Sequence, residues 1–254
     1  MTASNPSDTS SAASAASAAS AGSAAPNRPI ALVTGASRGI GKAIAVELGR
    51  THHILVGGRE AAAVDAVVAE LPSAEPYVAD LIADLSGASL PPLPDRLDVL
   101  VHSAGVEDGG TIEETEAEVW RHVFEVNVFA VAALTRRALP ALRAAEGLVV
   151  AINSGSGLSS GPGGGVYAGS KFALRALTDA LREEERPHGV RVSSIHPGRV
   201  DTDMQRALVA REGLDYDTTY TITPEMVAAT VRTAVDLPPT GTVESLSVRP
   251  VHRR

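Results

Sequence analysis

After residue 28 the apolar residues of this chain fall into two alternating textures. Short, nearly continuous runs rich in β-branched side chains read as strands: IALVT (30–34), HILVG (53–57), YVAD (77–80), LDVLVH (97–102), GLVVAIN (147–153), VRVSSIH (190–196) and TVESLSV (242–248). Between most of them apolar positions recur at helical spacing. These stretches cover residues 39–50, an alanine-rich segment ending at Glu70, a long segment from Glu113 to Leu142, residues 167–185 and residues 224–235. Strands that alternate with helices pair in parallel, and strands apolar on both faces need cover on both. The pattern predicts one α/β domain over 28–254: a doubly wound, Rossmann-type, mainly parallel seven-stranded sheet with helices on both faces. The segment LIADLSGASLPPLPDR (81–96) breaks the rhythm, and its prolines leave little room for a crossover helix.

Composition narrows the function. The net charge is −8, which argues against a general nucleic-acid binder, because neutralising phosphates takes clustered Lys and Arg. The chain has no cysteine, so disulfides and thiolate metal sites are excluded. No apolar run approaches the roughly 20 residues that span a bilayer, and the expected location is cytoplasmic. Residues 1–27 are an Ala/Ser-rich tract without large apolar side chains and are expected to be a disordered tail.

The turn TGASRGIG (34–41) joins the first strand to the first helix. Residues without a Cβ let backbone amides approach a pyrophosphate at the positive end of a helix, so Gly35, Gly39 and Gly41 mark a dinucleotide site. Ser37, Arg38 and Ile40 belong to the same turn. An NAD site would carry an acid at the end of the second strand, to grip the ribose hydroxyls. Here that end reads VGGRE (56–60), with Gly58 at the acid's place and Arg59 next to it. Arg38 and Arg59 could together clamp a 2′-phosphate, which makes NADP(H) the expected cofactor over NAD(H).

The glycine spacing is similar to that of the short-chain dehydrogenase/reductase family, in its shorter single-domain subclass, and the resemblance runs from Pro29 to about Pro250. Several further segments carry it. VHSAG (101–105) resembles the family's fourth-strand motif, with His102 and Ser103 in place of two asparagines. The resemblance places Ala104 and Gly105 beside the cofactor ribose and makes Asp80 the adenine-contacting acid. HPGRVDT (196–202) resembles the segment whose Pro197, Gly198, Val200 and Thr202 hold the nicotinamide.

The chemistry rests on VYAGSKFAL (166–174). Lys42 and Lys171 are the chain's two lysines, and Lys171 lies one helical turn after Tyr167, on the same face. Reducing a carbonyl by hydride leaves an alkoxide that must be protonated, and a phenol can donate that proton. A cation about 4 Å away offers roughly 4 kcal/mol at an effective dielectric of 20, enough to draw a phenol from about 10 towards neutrality. Lys171 is therefore expected to lower the pKa of Tyr167. By the resemblance, Ser154 polarises the substrate oxygen, Asn127 holds a relay water, and Asn127, Tyr167 and Lys171 also meet the cofactor. Ser156, Arg199 and Met204 are candidate substrate contacts, and residues 201–223 a lid. The expected activity is hydride transfer between NADP(H) and a small carbonyl or secondary alcohol, by a homodimer or homotetramer without nucleic-acid or membrane partners. The alternative is a non-catalytic NADP-binding regulatory protein of the same fold. No metal is called for.

Overall fold

The computed structural model describes residues 28–211 and 213–252. Seven strands form in it: β1 (Ile30–Val33), β2 (His53–Gly58), β3 (Ala74–Val78), β4 (Val99–His102), β5 (Leu148–Ile152), β6 (Arg191–Pro197) and β7 (Ser245–Val248). All pair in parallel, in the order β3-β2-β1-β4-β5-β6-β7. The helices are α1 (Gly39–Gly49), α2 (Ala61–Val68), α3 (Ala117–Phe124), α4 (Ala130–Ala145), α5 (Gly165–Glu185), α6 (Asp203–Arg211) and α7 (Pro224–Val235).

Strand side chains alternate between faces, and each face has its own core. Ala31 and Val33 pack with Ile44 and Leu48 of α1 and with Val227 and Val231 of α7. Leu32, between them, joins Leu134 and Leu142 of α4 and Leu181 of α5 on the other side. Leu32, Leu100, Leu134 and Leu142 are fully buried. Burial at such positions contributes roughly 1.5–3 kcal/mol each. Sheet order reverses at β1, with β2 and β3 on one side and β4 onward on the other. That reversal opens a crevice at the carboxyl ends of β1 and β4, where ligands bind in folds of this kind.

Three expectations need adjusting. The third strand runs over Ala74–Val78 rather than 77–80, and Pro76 pairs opposite Val56. A proline reads as a strand breaker, but β3 is an edge strand, where a missing N–H is tolerated. The long helix expected from Glu113 begins at Ala117, because a turn held by Thr111 occupies the preceding residues: its hydroxyl donates to Glu114 (2.7 Å), and its carbonyl accepts from the Thr115 hydroxyl (2.7 Å). The helix is then interrupted by a π-helical turn, Glu125–Phe129, and continues beyond Leu142 until Glu146 ends it in a left-handed conformation, φ 49°. Residues 81–96 contain no helix, and Leu90 and Leu93 from this loop cover part of the core. The Ala/Ser-rich tract lies outside the described residues.

Candidate active site

Two cavities, of about 880 Å³ and about 270 Å³, lie along the carboxyl edge of the sheet and share Ile40, Thr202 and Met204 in their walls. The smaller is built on the glycine turn. Gly35 and Gly39 adopt φ of 64° and 54°, which side chains disfavour. A Cβ on Gly35 would lie 2.8 Å from the Cα of Ala104, so glycine here lets the turn press against the end of β4. A Cβ on Gly39 would meet only Thr202, 3.5 Å away, so this side of the turn faces open space at the amino end of α1. That is a cradle fit for a phosphate.

Arg38, Arg59, Asp80, Ala104 and Gly105 line the same cavity. A Cβ on Gly58 would come within 2.6 Å of a Val64 methyl, so any side chain at that position, an acid included, would require Val64 to shift. Arg38 is exposed and 3.5 Å from Asp203 at the start of α6. Asp80 lies two residues beyond β3 rather than at its end, and its carboxylate caps a turn by accepting from the Ile82 amide at 3.2 Å.

The larger cavity contains Ser154, Ser156, Tyr167, Pro197, Gly198, Arg199, Val200 and Met204 in its lining. Ser154 follows β5 in extended conformation, and its hydroxyl oxygen accepts from the Ser156 amide at 3.0 Å. Tyr167, in the first turn of α5, is half-buried and lines the same cavity as Ser154. Lys171 lies one turn further and is 5% exposed. Its Nζ donates to the Ile152 carbonyl (3.1 Å) and stands 5.7 Å from the centre of the Tyr167 ring.

Burial pushes the phenol of Tyr167 up to about 12; the Ser154 hydroxyl opposes this, and the Glu107 carboxylate adds to it. Burial also pushes Lys171 down to about 8. Here the Lys171 ammonium is turned towards the Ile152 carbonyl, and burial is the largest influence on the phenol.

Asn127, in the π-helical turn, is 1% exposed. Its Oδ1 accepts from the Val106 amide (2.9 Å), and its Nδ2 donates to the Val106 carbonyl (2.9 Å) and to Ser170 Oγ (3.0 Å). The amide thus fixes the loop after β4 beside Lys171. Asn127 and Lys171 lie behind the cavity walls rather than in them.

Comparison with known proteins agrees with this geometry. The short chain dehydrogenase family profile matches residues 29–213. An uncharacterized short-chain type dehydrogenase/reductase of Sinorhizobium fredii is 35% identical over 231 residues, covering 87% of this chain and 91% of that protein. The chain belongs to the short-chain dehydrogenase/reductase family. Another relative, a serine 3-dehydrogenase of Rhizobium radiobacter, is 31% identical over 233 residues, 87% of this chain and 94% of that one. Among solved structures, an alcohol dehydrogenase of the archaeon Thermococcus sibiricus, complexed with 5-hydroxy-NADP, superposes with a TM-score of 0.79 at 29% identity. The superposition covers 90% of this chain and 99% of that one.

In this family member the two replaced asparagines of the fourth-strand motif have local substitutes. His102 is buried and bonds through Nε2 to Thr135 Oγ1 (2.8 Å), and burial holds its pKa down at about 4, so the ring is neutral. The Ser103 and Ala104 amides both donate to Thr34 Oγ1 at 3.1 Å, so backbone, not side chain, ties this loop to β1.

The structure also brings in groups that sequence reading missed. Arg211, at the end of α6, pairs with Glu107 (3.0 Å) and Asp108 (3.2 Å), fastening the 201–223 segment across the larger cavity. Asn153 Oδ1 accepts from the Ser154 amide (2.9 Å). Arg249 and His252 reach the cavity from beyond β7. Glu107 had a signal, standing two residues after Gly105. Asn153 stands next to Ser154, while Arg249 and His252 follow the last strand, far from any motif.

Proposed function

We propose that this oxidoreductase transfers a hydride between NADP(H) and a small carbonyl compound or secondary alcohol. The observation that carries the proposal is the pair of hydroxyls, Ser154 and Tyr167, in the wall of one cavity that shares Ile40, Thr202 and Met204 with the glycine cradle. When bound, the nicotinamide supplies or accepts the hydride. Ser154 donates a hydrogen bond to the substrate oxygen, and Tyr167 gives its proton to the oxygen as the alkoxide forms. Burial raises the phenol of Tyr167, so it is protonated at neutral pH and can act as the acid. Lys171, lowered to about 8 by burial, keeps its charge at pH 7; with the cofactor bound it would support the proton transfer and hold the nicotinamide ribose hydroxyls. Asn127 fixes the loop that flanks Lys171, and any relay water is held beside this engaged amide.

NADP(H) is favoured over NAD(H) by Arg38 and Arg59 at the mouth of the smaller cavity, by glycine in place of an acid at position 58, and by the NADP derivative in the T. sibiricus relative. The serine 3-dehydrogenase relative supports a small polar substrate. Ser156, Arg199 and Met204 meet that substrate, and residues 201–223 close over it. Phe129 and Phe172 leave apolar surface exposed at the start of α4 and on α5, which supports pairing of these helices in a homodimer or homotetramer. A cytoplasmic location completes the reading; among the described residues no helix is long and apolar enough to cross a membrane.

The test is NADPH oxidation, followed at the nicotinamide absorbance band, over a panel of aldehydes, ketones and oxo acids. Turnover of at least one class supports the proposal. Tight NADPH binding with no turnover of any class would favour the regulatory alternative.

A further inference from the structure

The cavity beside Ser154 and Tyr167 is unbalanced in charge. Of its lining residues, Arg199, Arg211 and Arg249 are cationic, and Glu107 is the one carboxylate. Glu107 is taken up by Arg211, which also reaches Asp108. Neither Arg199 nor Arg249 forms an ion pair with any described residue.

Arg249 is also placed rather than adrift. It follows β7 directly, where the Gly198 amide donates to the Val248 carbonyl at 2.8 Å. A Cβ on Gly198 would lie 3.4 Å from the Cα of Arg249 and 3.5 Å from its Cγ, so the arginine stem packs on that glycine. Its guanidinium packs on another: a Cβ on Gly155 would lie 2.7 Å from Nη1 and 3.3 Å from Nη2. Gly155 is the neighbour of Ser154. Two glycines thus make room for a cation one residue from the hydroxyl pair, facing the same cavity. A guanidinium offers a planar fork of donors matched to a carboxylate, and a site that leaves such a fork unmatched discriminates against neutral analogues.

We infer that the substrate carries a carboxylate, held by Arg249 with Arg199 and His252 nearby, within a few bonds of the reacting carbonyl. This rests on the hydride-transfer reading of Ser154 and Tyr167. The substrate class is a short oxo acid in the reducing direction and the matching hydroxy acid in the other. The carbonyl carbon gains the hydride from the reduced nicotinamide, the carbonyl oxygen gains the proton of Tyr167, and the carboxylate is unchanged.

The experiment compares short α-, β- and γ-oxo acids with their methyl esters, using NADPH and the full chain, for the parent, Arg249→Gln and Arg249→Lys. The parent should prefer one acid over its ester by about tenfold or more in kcat/KM. Arg249→Gln should lower that acid-to-ester ratio about tenfold, chiefly through KM, and Arg249→Lys should restore part of it. A ratio unmoved by Arg249→Gln, or a parent that reduces esters in preference to acids, would overturn the inference while leaving the hydride-transfer reading intact. So would an equal loss of NADPH affinity in Arg249→Gln measured without substrate, since the cation would then serve the cofactor. If the parent reduces simple aldehydes or ketones but no acid and no ester, the inference fails and the hydride-transfer reading stands; if it binds NADPH and reduces no carbonyl of any class, both fall.

Discussion

Lys171 holds a charge where the fold disfavours one, and removing it should stabilise the protein. Burial lowers its pKa from 10.5 to about 8. At 1.36 kcal/mol per unit, that penalty on the charged form is about 3 kcal/mol at neutral pH. The sign follows from proton counting. Between pH 8 and 10.5 the unfolded chain binds a proton that the folded chain does not, so stability rises with pH across this window and the penalty is fully present below it. Lys171→Met keeps the stem's volume and removes the charge, at the loss of a charge-assisted hydrogen bond to Ile152, worth roughly 2 kcal/mol. The net gain at pH 7 is about 1 kcal/mol, or roughly 2–4 °C in Tm for a domain of this size. Near pH 10.5 the advantage should vanish or reverse. Denaturant unfolding of parent and variant at both pH values, at matched protein concentration, measures this. A variant no more stable than the parent at pH 7, or a difference that does not change with pH, would refute the reasoning.

The phosphate clamp predicts that NADPH binds at least about tenfold tighter than NADH, some 1.4 kcal/mol, and that Arg59→Asp erases or reverses the preference in fluorescence titrations of both cofactors. Lys171→Arg should lower kcat about tenfold or more with the fold intact by circular dichroism. A planar guanidinium is too wide for the place that Nζ fills between the Ile152 carbonyl and the loop at Gly105. Light scattering at micromolar concentration should report a dimer or tetramer, and Phe172→Glu on the exposed face of α5 should shift it towards monomer.

The parts of this molecule that could be read in advance are those where local chemistry and fold agree. Strands such as Leu148–Ile152 are buried along their whole length and announce themselves as apolar runs. Gly35 and Gly39 are glycines because their φ angles demand it, and Tyr167 and Lys171 share a face because they are one turn apart. The misreadings have tertiary causes. Pro76 hid an edge strand whose tolerance for proline depends on its place in the sheet. The π-helical turn at Glu125–Phe129 keeps the periodicity of a helix, and its use, burying Asn127 against Val106 and Ser170, depends on partners 21 and 43 residues away. The setting of Tyr167 was not legible because spacing along a helix does not say that the Lys171 ammonium turns towards Ile152. Arg211 and Arg249 carry no signal at all, since each gains its meaning only when remote loops fold over the cavity.

The most direct test of the central claim is the steady-state rate of NADPH-dependent carbonyl reduction by Tyr167→Phe beside the parent, with NADPH affinity measured separately. Losing the proton donor alone should cost at least about a hundredfold in kcat, while the cofactor, held by the glycine turn, binds nearly as before. A phenylalanine variant that retains the parental rate would contradict the assignment of Tyr167 as the acid and, with it, the catalytic account of this site.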